Sequence, residues 1–232
     1  MNNQEFTYAN VVAEAPIIEQ KEFYKQTYLH LALALMVTVL LEYAILTSSM
    51  AGSIVNFMFN NYIISFLLFF GATWLGQSMA YSADKGKQYL GLGIYVLAYT
   101  LFFAPILALT AEAIGVQIIQ EAAILTTALF AGLTVVAFTT KKDFSFLEGA
   151  LKIGSFIIIG VIIASFFIGG LTSSIFWIGG VILFLGGLIL YETSQIKYKY
   201  PTTMFVGAAA TLYGSFMTLF LYVLRLLMAL RD

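Results

Sequence analysis

The sequence predicts an all-α integral membrane protein with seven transmembrane helices, and three observations carry that reading. Hydrophobic residues make up 61% of the 232 positions against 10% charged, and mean hydropathy is +0.93. A soluble domain of this length cannot hide so much apolar surface. The apolar residues fall into seven stretches, each near the ~20 residues that a helix needs to cross ~30 Å of hydrocarbon. The last stretch also carries a polar stripe that only a helix packed among other helices would need.

The chain opens with a polar, mildly acidic segment, residues 1–27, with Glu5, Glu14, Glu19 and Glu22 against Lys21 and Lys25, and Pro16 in the middle. It lacks the basic start and early apolar core of a cleavable signal peptide. It is expected to be a flexible cytoplasmic tail, with docking of a partner as the alternative. The remainder, 28–232, is expected to form one transmembrane domain.

The predicted spans are 29–46, 62–81, 89–111, 119–138, 150–168, 175–191 and 203–230. Gly and Ser cluster in the breaks, as at 48–53 and 169–174. No internal repeat stands out, which argues against a two-halved transporter. In the first span Glu42 lies about 14 residues in, so roughly 20 Å of helix separates it from the first end. An ionisable side chain at that depth is costly and is a functional candidate by default. The alternative is that the span ends early and leaves Glu42 among the outer headgroups.

Basic residues set the expected orientation. Lys21 and Lys25 precede the first span, and Lys85 and Lys87 follow the second. Lys141, Lys142 and Lys152 surround the fourth-to-fifth link, and Lys197 and Lys199 follow the sixth. All nine lysines fall on one side, while the opposite links carry Glu112 and Glu121. By the positive-inside rule the amino terminus is cytoplasmic and the carboxyl end outside. Arg225 and Arg231 then lie at the outer boundary, where snorkelling explains them. Tyr24, Tyr28, Tyr62, Tyr81, Tyr89, Tyr191, Tyr198 and Tyr200 gather near span ends as an interfacial belt, and His30 belongs with them.

In the cytoplasmic link 139–149, Ser145 and Glu148 have the spacing of a capping box that would start the fifth span. At 100° per residue the last span places Gly207, Thr211, Gly214, Ser215, Thr218, Tyr222 and Arg225 on one arc, a stripe roughly 27 Å long. Close helix packing needs such a stripe, and so does a lined pathway. The sequence leaves both open.

Composition excludes several chemistries. Cysteine is absent and His30 is the single histidine, so thiolate and His-rich metal sites are not expected. The net charge of -1, with no basic face, gives no nucleic-acid footprint. There is no nucleophile elbow, phosphate loop or dinucleotide fingerprint, and no lysine in the last span for a Schiff base. No enzymatic activity and no cofactor are expected. The lipid bilayer is the one partner that composition requires.

The link Asp143-Phe144-Ser145-Phe146-Leu147, the motif Tyr191-Glu192-Thr193-Ser194 and the runs 212–220 and 224–227 together resemble the Bax inhibitor-1 family across all seven spans. The Glu-Thr-Ser motif, Ser215 and the terminal Arg231-Asp232 are most similar to its bacterial YccA branch. The resemblance implies six helices surrounding a central seventh. It also implies a partner, because members of that branch modulate the membrane-anchored ATP-dependent protease FtsH. In calcium-leak members a pair of aspartates controls a proton-sensitive closed state. By position these fall on Glu192 and Ser215, and the second is a hydroxyl that cannot ionise near neutral pH. The sequence therefore favours a modulator of FtsH in the bacterial inner membrane. A cation leak for calcium ions or protons, with Glu192, Ser215 and Glu42 as candidate site, is the alternative.

Overall fold

The computed structural model describes residues 11–140, 142–165 and 167–231. Eight α-helices follow one another: α1 (Ile17–Leu46), α2 (Met50–Asn60), α3 (Tyr62–Ala80), α4 (Lys85–Ala113), α5 (Val116–Thr139), α6 (Glu148–Ser165), α7 (Ile175–Tyr198) and α8 (Phe205–Ala229). Short 3-10 turns at Val12–Glu14 and Phe144–Leu147 complete the described secondary structure apart from one isolated bridge, Val11 to Pro201. Seven of the helices, all but α2, are long and apolar enough to cross a membrane.

The outward faces are apolar because lipid is their solvent. Trp74, Phe156, Phe176 and Leu183 are exposed, where a soluble protein would carry charge. The interior is built around α8, whose residues from Val206 to Ser215 are all buried. Helices α1, α3, α4, α5 and α7 pack directly on α8, and α6 completes the ring mainly through α7. The arc predicted from sequence therefore does face other helices, and the opposite face of α8 is covered as well.

Close approach of α3 and α4 is made possible by Gly91. A Cβ there would lie 2.5 Å from both Ala80 N and Gly76 O, backbone atoms that cannot move aside. Asp84 starts α4 by accepting from the Lys87 amide at 3.0 Å, satisfying one of the free donors of the first turn.

Three expectations are corrected. The tail expected over residues 1–27 is folded from residue 11 onward; residues 1–10 lie outside the described residues. Its polar composition suits a helix that continues past the bilayer: Phe23 and Thr27 are buried inward, while Gln26 donates to Glu22 at 2.6 Å on the outer side. Residues 11–15 form a strap across the start of the last link, with the Val12 amide donating to Tyr200 O at 2.9 Å. The Gly and Ser cluster after residue 48, expected as a break, instead runs into α2. Its 11 residues are too few to cross the bilayer, but in an apolar medium a helix is the cheapest way to satisfy their backbone.

The third correction concerns the capping box. Ser145 and Glu148 do not exchange hydrogen bonds. Asp143 is the cap, accepting from the Ser145 amide at 2.9 Å and from Ser145 Oγ at 2.7 Å. Glu148 pairs with Lys152 at 2.7 Å. An aspartate immediately before a turn competes well for its free amides, and the lysine one turn onward offers Glu148 a full charge.

Candidate functional site

Near the lysine-bearing end of the bundle α7 and α8 meet through a polar contact. Ser215 Oγ donates to Glu192 Oε2 at 2.6 Å. Ser215 is buried and Glu192 is partly buried. The two residues singled out from the sequence thus touch, and Glu192 is not a freely solvated carboxylate at a helix end.

Tyrosines close in around this pair. Tyr95, Tyr99 and Tyr213 stack edge to face, with ring centroids 5.2 to 6.0 Å apart. Gly214 is what lets Tyr95 in, because a Cβ there would collide with the Tyr95 hydroxyl. Tyr213 shares a 2.7 Å hydrogen bond with Thr38 of α1. On the terminal side of the pair, Tyr81, Tyr200 and Thr211 join their hydroxyls. Tyr81 and Tyr200, expected to sit among headgroups, both reach Thr211 of α8 through these hydroxyls. Burial, and then the neighbouring Tyr81, push the Tyr200 phenol above its ordinary value.

The polar stripe of α8 is used contact by contact. Gly207 lies against Ala80, Thr211 meets the two tyrosines, and Ser215 meets Glu192. Thr218 bonds back to Gly214 O at 2.8 Å. At the far end Arg225 donates to Thr172 O at 2.6 Å and its guanidinium lies over the Tyr222 ring. Arg231 pairs with Glu121 at 2.7 Å.

Sequence reasoning missed the network that pins the end of α7. Asp143 accepts from Ser194 Oγ at 2.8 Å, Ser194 Oγ accepts from the Phe144 amide at 3.0 Å, and Gln195 donates to Ser145 Oγ at 2.8 Å. Lys197 reaches the carbonyls of Phe138 and Thr140, both at 3.3 Å. Slight burial opposes ionisation of Asp143, but the hydroxyls of Ser145 and Ser194, the Ser145 amide and Lys199 together hold its carboxyl below the usual value. The available signal was an Asp and a Ser in the first motif and a Ser in the second, without anything local to pair them.

Glu42 lies about one turn before the end of α1 at Leu46, and its side chain faces the bundle, only 6% exposed. It does not join Glu192 and Ser215. His30 stays near the lysine-bearing end, against Tyr89 and Phe205. Among the described residues no three His, Asp or Glu side chains converge as a metal site. A single carboxylate and a hydroxyl fall short of the six to eight oxygens that hold calcium firmly. What the Glu192–Ser215 pair can do is attract a passing cation or exchange a proton.

A family model described as "Inhibitor of apoptosis-promoting Bax1" matches residues 20–232. An uncharacterized protein of Pseudomonas aeruginosa is 30% identical over 48% of this chain, a match that spans 50% of that relative. Protein lifeguard 4 of Mus musculus is 26% identical over 98% of this chain and 93% of its own. An uncharacterized protein of Campylobacter jejuni is 32% identical over 88% of this chain and 87% of its own. The matched residues include α2 to α8, the Asp143 link and the Glu192–Ser215 contact; the chain belongs to the Bax inhibitor-1 family.

Proposed function

We propose that this multi-pass membrane protein is a slow cation leak whose closed contact is the hydrogen bond between Glu192 and Ser215. The observation that carries this reading is that bond, a partly buried carboxylate joining α7 to the central helix at 2.6 Å. A carboxylate at that place lowers the barrier to a cation, while too few oxygens surround it to trap one. The tyrosine layer beside it, Tyr95, Tyr99 and Tyr213, blocks the bundle until α7 and α8 part. Bacterial relatives support a bacterial inner membrane for this reading, and the side on which the nine lysines fall supports a cytoplasmic amino terminus.

Purified protein in liposomes loaded with a calcium indicator tests this. Native protein should give slow flux above that of empty liposomes, and Glu192→Gln should reduce it several-fold by removing the charge. Equal flux from both, or none from the native protein, refutes the reading. Modulation of FtsH rests on the resemblance to the YccA branch alone. Failure of FtsH to co-purify from gently solubilised membranes would remove it.

A further inference from the structure

Glu42 stands apart from the pair just described. Its carboxyl is on α1, 6% exposed, and neither Oε1 nor Oε2 has a hydrogen-bond partner among the described residues. An ionised carboxylate left this way inside a bundle is strongly unfavourable, because nothing replaces the water it has lost. Something else must occupy it. Helices α8, α4 and α2 pack against α1. From α8 the titratable group facing Glu42 is Tyr213. From α4, Tyr95 and Tyr99 stand behind Tyr213, edge-on to its ring. The sequence of α2 contains no titratable residue. Among the described residues no lysine, arginine or second carboxylate interacts with Glu42.

Those surroundings decide the ligand by charge and by ligand count. A calcium ion would leave a net positive charge in an apolar bundle and needs six to eight oxygens. The hydroxyls at hand are those of Thr38, one helical turn before Glu42 on the same face, and Tyr213, and they already bond to each other at 2.7 Å. Thr38 also donates to Ala34 O at 2.9 Å. A proton neutralises one carboxylate completely and requires no further oxygen. We propose that Glu42 is a proton-binding site, separate from Glu192 and lying on the far side of the Tyr95, Tyr99 and Tyr213 layer. The Thr38–Tyr213 hydroxyl pair is its switch: when the proton leaves, a hydroxyl turns from its present partner to donate to the bare carboxylate. Such a site works whether or not the protein conducts an ion.

Infrared spectroscopy of the protein in lipid reads the proton directly, through the carbonyl stretch of an un-ionised acid. Protein labelled with [13C-carboxyl]glutamate should show, at neutral pH, an acid band that carries the isotope shift. The band should persist in Glu192→Gln and vanish when Glu42→Gln is added to that variant. When Glu42→Asp is added instead, the band should remain but lose the isotope shift, so one folded double variant of the two suffices. Absence of an isotope-shifted acid band in Glu192→Gln overturns the proposal. Its persistence after Glu42→Gln is added, or with full shift after Glu42→Asp is added, overturns it as well. Because the readout is a proton and not flux, it stands or falls apart from the leak.

Discussion

Replacing Ser215 by aspartate converts the α7–α8 contact into a carboxylate pair. Ser215 Oγ and Glu192 Oε2 are 2.6 Å apart, so an aspartate oxygen reaches the neighbourhood of Glu192 without any backbone movement. Two unit charges about 4 Å apart repel by about 4 kcal/mol at an effective dielectric of about 20. That is roughly a thousandfold preference for keeping one proton between the two groups. The native pair has one carboxyl and one hydroxyl, and lacks this coupling. In calcium-indicator liposomes the flux of Ser215→Asp should therefore respond to pH from about pH 6 to 8 more steeply than the weak flux of native protein. Adding Glu192→Gln to Ser215→Asp removes one partner and should abolish the response. Steep pH gating of the native protein, undiminished by Glu192→Gln, refutes the reasoning.

Three further outcomes follow from the same structure. A topology reporter fused after Asp232 should be active outside the cytoplasm, and one placed near Lys142 inside; the reverse pattern overturns the assigned orientation. Gly214→Ala puts a Cβ into the Tyr95 hydroxyl and 3.2 Å from Tyr95 Cε1 and Cζ, an overpacking that costs about 1–3 kcal/mol. Its thermal stability in detergent should fall, and Tyr95→Phe should restore part of the loss; no rescue would mean the clash is not with that hydroxyl. Asp143→Asn should destabilise at neutral pH by about 1 kcal/mol or less, since the group is exposed and solvent screens it. The Asp143 carboxyl is held below its ordinary value, so its contribution is present above the normal carboxylate range and is lost as pH falls through the lowered one. The stability difference between wild type and Asp143→Asn should shrink in strong acid, and a difference independent of pH would contradict the assignment.

Membrane class and span placement were legible because they depend on local composition. A stretch of apolar residues long enough to cross lipid has to be a helix, whatever it packs against. The same logic made the stripe on α8 readable, since a hydroxylated face has no place against lipid. It also drew attention to Glu42, although whether its side chain turned inward depended on the helix rotation set by packing. Where polarity was the guide, the reading was less accurate. Residues 11–27 are polar yet folded, and the Gly and Ser cluster after residue 48 is polar enough to suggest a break yet leads into α2.

Everything that makes a site depends on contacts between distant parts of the chain. Thr38 meets Tyr213 across 175 positions, Tyr81 meets Thr211 across 130, and Asp143 meets Ser194 across 51. Local rules contain no information about such pairs. The capping-box spacing of Ser145 and Glu148 was a correct local option that lost, because Asp143 and Lys152 made stronger charge-assisted partners. From residue order came a membrane-spanning helical bundle with a polar stripe on its last helix. Tertiary packing alone decided that Glu192 touches Ser215 while Glu42 has no hydrogen-bond partner among the described residues, because which faces of α1, α7 and α8 meet depends on the whole bundle at once.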